Sequence, residues 1–223
     1  MAEFDNEEMN SLKRWWDSNG MALVIGVLVG VVVIVGWQGW RWYTDNQATE
    51  AADVYQQVEQ GIAGGNVDES VLETVARLKQ DYAGTPYAAS AALRLAGYHV
   101  QQQEYAKARE QLDWAMNNAA NEGVSHIARV RAARLVWTQG ESEQALEMLD
   151  AEHPPAFDAL YAEVRGDIHA AQGDREAAYK AYQRALDTLP QDTPSRALET
   201  KLADNAPADV ADAPSDQESA SAS

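Results

Sequence analysis

The sequence predicts an all-α protein in two parts, a single N-terminal transmembrane helix followed by a solenoid of about four helix pairs. Three observations carry this. Residues 21–40 contain no formally charged side chain. Beyond Val35 the chain is rich in Ala, Leu, Gln and Glu, with few β-branched runs and with proline and glycine as punctuation, which is the composition of packed helices. Within that part, one spacing of small, large and turn residues recurs.

The first element is the stretch "GMALVIGVLVGVVVIVGWQGWRWY", which begins at Gly20. Its twenty residues from Met21 to Trp40, with Gln38 the only strongly polar one, are enough to cross about 30 Å of hydrocarbon as a helix. A cleaved secretory signal would show a basic leading segment, a shorter apolar core and a small-residue cleavage site. Here Glu3, Asp5, Glu7, Glu8 and Asp17 outnumber Lys13 and Arg14 before the run, and bulky aromatics close it, so it reads as an uncleaved anchor. Indole and phenol rings favour the headgroup level, which sets Trp15 and Trp16 at one interface and Trp37, Trp40, Trp42 and Tyr43 at the other. Gly26 and Gly30 form a G-x-x-x-G step that would admit a second helix, although glycine is common in spanning helices generally. Two basic residues precede the span, and only Arg41 follows it before Arg77. That balance puts residues 1–20 in the cytoplasm and the remainder outside the inner membrane.

The second part, residues 41–204, is long enough for one domain with its own core. Helices are expected at 41–63, 68–82, 86–102, 104–120, 124–139, 141–151, 155–172, 174–189 and 194–204. Thr85 before Pro86 and Thr193 before Pro194 read as helix starts, a capping hydroxyl followed by proline in the first turn. From Asn205 the chain is acidic and rich in Ala, Ser and Pro, with no aromatic and no positive charge, so 205–223 is expected to be a disordered tail.

The helices repeat. From Gly166, seven residues on is Gly173, twelve on Ala178, sixteen on Tyr182, nineteen on Ala185 and twenty-four on Pro190. The same ruler at Ala133 finds Gly140, Ala145 and Leu149, and at Ala96 finds Gln103, Ala108, Leu112 and Ala115. Two antiparallel helices packed closely need small residues where their backbones approach, a large one to fill the neighbouring gap, and a turn between them. The pattern resembles the tetratricopeptide repeat, whose pairs stack because one pair alone cannot bury its apolar face. The middle copy departs late, with Glu152 and Phe157 in the last two slots, and residues 44–82 look like a degenerate first pair. A non-repeating helical bundle is the alternative.

Charge and composition restrict function. A net charge of −18 argues against nucleic acid and against adhesion to anionic lipid through a basic surface. With no cysteine there is no disulfide, no thiol nucleophile and no Cys-based zinc site. Metalloprotease, nucleophile-elbow and phosphate-loop motifs are absent from the sequence, so neither enzyme activity nor a cofactor is expected. Of His99, His126, His153 and His169, the first and last occupy equivalent places in their repeats and read as packing residues.

Binding positions follow from the spacing, because the first helix of each pair lines the concave face of such a stack. They fall at Leu93 and Val100, then at Ile127, Val130, Arg134 and Trp137, then at Leu160, Glu163 and Asp167. Trp137 reads either as an anchor in that groove, with Arg134 one turn away to hold a carboxylate or carbonyl, or as packing between adjacent pairs.

"LKRWWDSNGMALVIGVLVGVVVIVGWQGWRWY", followed by a helical-repeat domain of this length, resembles the YfgM family, the ancillary subunit of the bacterial Sec translocon. The Lys-Arg-aromatic-aromatic step, the Asn-Gly, the glycine-spaced anchor and the Gly-Trp exit carry the likeness, which covers roughly residues 7–202; the acidic tail is not part of that pattern. The resemblance implies a single-pass inner-membrane protein with periplasmic repeats. It also implies association with the SecYEG channel and with the membrane-anchored chaperone PpiD, assisting secretory proteins as they emerge. A scaffold for envelope or peptidoglycan machinery would carry the same anchor and helices, and so would a cytoplasmic adaptor of reversed topology.

Overall fold

The computed structural model describes residues 2–65, 67–190 and 192–207, with backbone alone for 2–8, 10–12 and 14. Most of the expected acidic tail lies outside these residues. By internal contacts the chain divides into residues 1–50 and 51–223.

Helix α1 runs from Ala2 to Ala63, so the leading segment, the anchor and the first expected helix of the domain form one element. The reason is local: the first proline is Pro86, and nothing before Gly64 halts the helix. Gly65, at φ +71°, ends it, and a left-handed conformation favours glycine there. In the first unit the apolar run is exposed along its length, as are Trp15, Trp16, Trp37, Trp40, Trp42 and Tyr43. A continuous apolar surface of this kind needs hydrocarbon around it, and α1 is the helix long and apolar enough to cross a membrane among the described residues. The Trp16 ring covers Gly20 and leaves it no room for a Cβ without a shift, whereas Gly26 and Gly30 face open space.

The second unit is all helical among its described residues: the end of α1, then α2 (Glu69–Asp81), α3 (Pro86–Gln101), α4 (Tyr105–Asn118), α5 (Glu122–Thr138), α6 (Ser142–Leu149), α7 (Asp158–Ala171), α8 (Arg175–Thr188) and α9 (Arg196–Asp204). A single 3₁₀ turn, Pro155–Phe157, leads into α7. Asp68, Asn121 and Asp174 cap α2, α5 and α8, each accepting a hydrogen bond from a backbone N–H of the first turn.

The two threonines do not cap as expected. The Thr85 hydroxyl is buried and donates backwards to the Tyr82 carbonyl at 2.8 Å, so Pro86 starts α3 without a side-chain cap. Thr193 closes a turn through its N–H on the Pro190 carbonyl, and α9 begins later, at Arg196, where Ser195 bonds Glu199.

The repeat is visible in the backbone. Gln103, Gly140 and Gly173, the turn residues of the ruler, all have positive φ, at 61°, 90° and 79°. Each turn is closed the same way: Glu104, Glu141 and Asp174 donate their N–H to the carbonyls of His99, Val136 and His169, five residues earlier. The small positions Ala108, Ala115, Ala145, Ala178 and Ala185 are wholly buried. At Gly166 a Cβ would stand 2.5 Å from the Tyr182 ring, which is why the third copy needs glycine where the others carry alanine. The middle copy's departure is a shortened helix: α6 stops at Leu149, and Phe157 packs into the third core instead.

Four core clusters line up along the stack, and each joins one helix pair to the first helix of the next. The first joins Ala51, Val54 and Val58 of α1 to Val75 and Leu78 of α2 and to Ala88, Ala91 and Leu95 of α3. The second runs through α3, α4 and α5, the third through α5, α6 and α7, and the fourth through α7, α8 and Leu198 of α9. Stability in such a stack comes from nearest-neighbour interfaces. Helix α9 therefore closes the last pair.

Candidate partner-binding groove

Between the first helices of the second and third pairs lies an apolar groove of about 370 Å³. Its floor is buried: Leu93 and Ala96 from α3, Leu112 from α4 and Leu135 from α5. Val100 stands 41% exposed at one wall, and Gly97 beside it has open space where a Cβ would be. On α5, Arg131, Arg134 and Thr138 form the opposite rim. Both walls are stripes of residues three, four and seven apart, the spacing that keeps side chains on one helix face.

The nine positions read from the repeat divide. Leu93, Val100 and Arg134 meet in this groove. Ile127 is half-buried against the second core and Leu160 against the third. Val130 is 1% exposed and belongs to the third core, so it offers no surface to a partner. Trp137 also packs against the third core and is not among the residues that line the groove. The expected stripe on α5 is displaced from the observed one by one residue, about 100° around a helix, so Arg131 and Thr138 take the places expected of Val130 and Trp137.

Glu163 and Asp167 are already engaged. Lys201 of α9 reaches both carboxylates, at 2.7 and 2.8 Å, and Tyr182 donates its hydroxyl to Asp167 at 2.9 Å. Burial works against the Lys201 charge, but Asp167 and Glu163 outweigh it and hold its pKa above the ordinary value. The inward face of the fourth pair is thus filled from within the chain.

Arg131 and Arg134 differ from the arginines on neighbouring first helices. Arg94 of α3 grips Glu59 of α1 through two nitrogens, and Arg165 of α7 holds Asp150 at 2.7 Å. Among the described residues, Arg131 and Arg134 form no ion pair. Sequence reasoning missed Arg131 and Gly97, and the available signal was their place one turn from Arg134 and from Leu93.

On the far side of α5 lies a buried polar cluster. His126, 6% exposed, has Nδ1 2.9 Å from the Tyr161 hydroxyl, while its Nε2 and the Nε of Arg129 have no protein partner. Burial, then the Arg129 charge, lowers the His126 pKa below its ordinary value; Glu122 opposes this and His153 adds to it. His99 is buried, with Nδ1 2.7 Å from Glu104 at the turn of its repeat.

Comparison with known proteins agrees with this architecture. The family model of the tetratricopeptide repeat-like domain matches residues 13–206, from before the span to the end of α9. Among similar proteins, the ancillary SecYEG translocon subunit of Escherichia coli K12 is 27% identical over 184 residues, 82% of this chain and 88% of that one. The proteins of the same name from Haemophilus influenzae and Neisseria gonorrhoeae are 28% and 26% identical, over 81% and 87% of this chain and 88% and 93% of theirs. With one family model running through both the anchor and the repeats, this chain belongs to the tetratricopeptide repeat-like domain family, and its resemblance to the YfgM family stands.

Proposed function

We propose that this chain is a non-enzymatic, ancillary subunit of the bacterial Sec translocon. In this reading α1 is anchored in the inner membrane with residues 1–20 in the cytoplasm, and the solenoid lies in the periplasm. There it associates with SecYEG and with a PpiD-like chaperone, and assists secretory proteins as they emerge. The observation that supports this best is that the likeness to translocon subunits spans anchor and solenoid together, over 82% of this chain and 88% of the Escherichia coli protein. A solenoid of helix pairs suits the role, since its extended surface binds partners without needing a reactive centre.

The test is capture of partners from intact membranes in mild detergent, with an unrelated single-span protein as control. Enrichment of SecY and a PpiD-like chaperone is expected; recovery of envelope synthases instead would overturn the translocon assignment. Orientation is checked separately with protease added to spheroplasts. It should remove the solenoid and spare an N-terminal tag, and a resistant solenoid would reverse the topology.

A further inference from the structure

We infer that the groove between α3 and α5 receives a short apolar segment that carries carboxylates, with its apolar side chains on the Leu93–Leu112–Leu135 floor and its acids on Arg131 and Arg134. This rests on the reading of the solenoid as a partner-binding scaffold, and it names the chemistry of the segment bound.

Two independent features point to that occupant. The first is shape. From Leu93 to Val100 the α3 wall extends about 10 Å along the helix, so the groove of about 370 Å³ matches two turns of a partner helix or a short extended stretch. Gly97 widens it, because the space that a side chain would fill there is open.

The second feature is charge. The chain carries 35 acidic residues against 17 basic ones, so carboxylates are plentiful as partners for its cations. Arg94 and Arg165, at other first helices, have theirs. The two arginines at the groove rim do not, although Glu and Asp are abundant in the chain. Guanidinium groups next to an apolar floor fit a planar carboxylate through two parallel hydrogen bonds, and the dry floor strengthens those bonds. A basic segment would meet like charge there and a purely apolar one would leave both arginines unanswered.

The experiment uses the full chain in lipid nanodiscs and a labelled amphipathic peptide of about four helical turns, with leucines along one face and glutamates along its edge. Companion peptides exchange glutamate for lysine, or leucine for serine. Anisotropy should show the glutamate peptide binding at least about tenfold more tightly than either companion. The preference over lysine should shrink in added salt and vanish in an Arg131→Gln, Arg134→Gln double variant. Gly97→Leu fills open space, so it should keep the helical circular-dichroism signal and not lower the thermal midpoint while losing the peptide. Equal binding of the glutamate and lysine peptides, no binding of any peptide, or full binding by Gly97→Leu with an intact fold would overturn the inference.

Deletion of residues 208–223 identifies the competing occupant, since this segment is itself acidic. Unchanged peptide affinity is expected. A rise of about tenfold, with a synthetic copy of the segment displacing the peptide, would make the chain's own tail the occupant and overturn the assignment to a partner. The titration needs no translocon, so its failure and failure of the capture experiment are read separately.

Discussion

The inward faces of α5 and α7 occupy equivalent places in the repeat and end in opposite states. On α7, Glu163 and Asp167 are neutralised by Lys201, and the Tyr182 hydroxyl completes the set. On α5, Arg131 and Arg134 stand at the rim of an apolar groove with no carboxylate from the described chain. The difference lies in what packs next. The fourth pair is the last, and α9 lies against it as a closing helix, whereas the second and third pairs face each other across the groove. A solenoid end must be covered, because an uncovered pair exposes its apolar face. A surface between pairs is free to serve a partner.

The strongest way to break this comparison is at the closed end. Tyr182→Ala removes a ring that is 2% exposed and fills the space over Gly166, so it should cost about 3–5 kcal/mol and lower the thermal midpoint of the full chain by circular dichroism. A midpoint within a degree or so of the parent would mean that the fourth pair does not depend on this contact.

Lys201→Met tests the charge set itself. It leaves Glu163 and Asp167 facing one another without a cation, and should cost about 1–2 kcal/mol, reduced from the fully buried case because a third of Lys201 is exposed. Adding Glu163→Gln and Asp167→Asn should recover much of the loss. Equal destabilisation in the triple variant would show that Lys201 acts through packing alone.

His126, between the two ends, gives a pH dependence. Its folded pKa is lowered, so the unfolded chain takes up the proton first. Stability is therefore full above about pH 6.5, the ordinary histidine value, and declines as pH falls towards the folded value. The groups facing it are Arg129 and Glu122 on α5, His153 before α7, and Tyr161 on α7. His126→Asn should flatten this decline in urea unfolding measured between pH 7.5 and 5.5, and an unchanged slope would place the titration elsewhere.

The smallest effects belong to the open groove. Gly97→Ala should raise stability by about 0.5–1 kcal/mol, since alanine favours helix and its Cβ meets nothing. Arg134→Gln should change it by less than about 0.5 kcal/mol, because no partner is lost. A large loss in either variant would mean that the groove is part of the core and that the two faces are not different after all.

Much of the fold was legible before any coordinates. Proline and glycine punctuation placed the solenoid helices to within a few residues, and Gln103 took a left-handed turn where the ruler placed it although it is not glycine. The threonine caps misled because a hydroxyl before proline has a second acceptor in reach, the carbonyl three residues back, and the buried Thr85 uses it. Of the ruler's inward positions, Leu93, Val100 and Arg134 line the groove. Val130 and Trp137 pack at the third core instead, for a rotational reason: on a helix one residue is about 100°, and repeat spacing sets axial position more tightly than facing.

What the sequence alone determined is whatever is local or periodic. An uncharged run of twenty residues reads as a span, and small residues at fixed intervals read as stacked pairs, because length and period are properties of the chain itself. What only the tertiary structure decided is which charges find partners. Glu163 and Asp167 are answered by Lys201, thirty-eight and thirty-four residues away, while Arg131 and Arg134 are left open. Pairing over that distance depends on where α9 comes to rest, and its position follows from burying Leu198 in the fourth core.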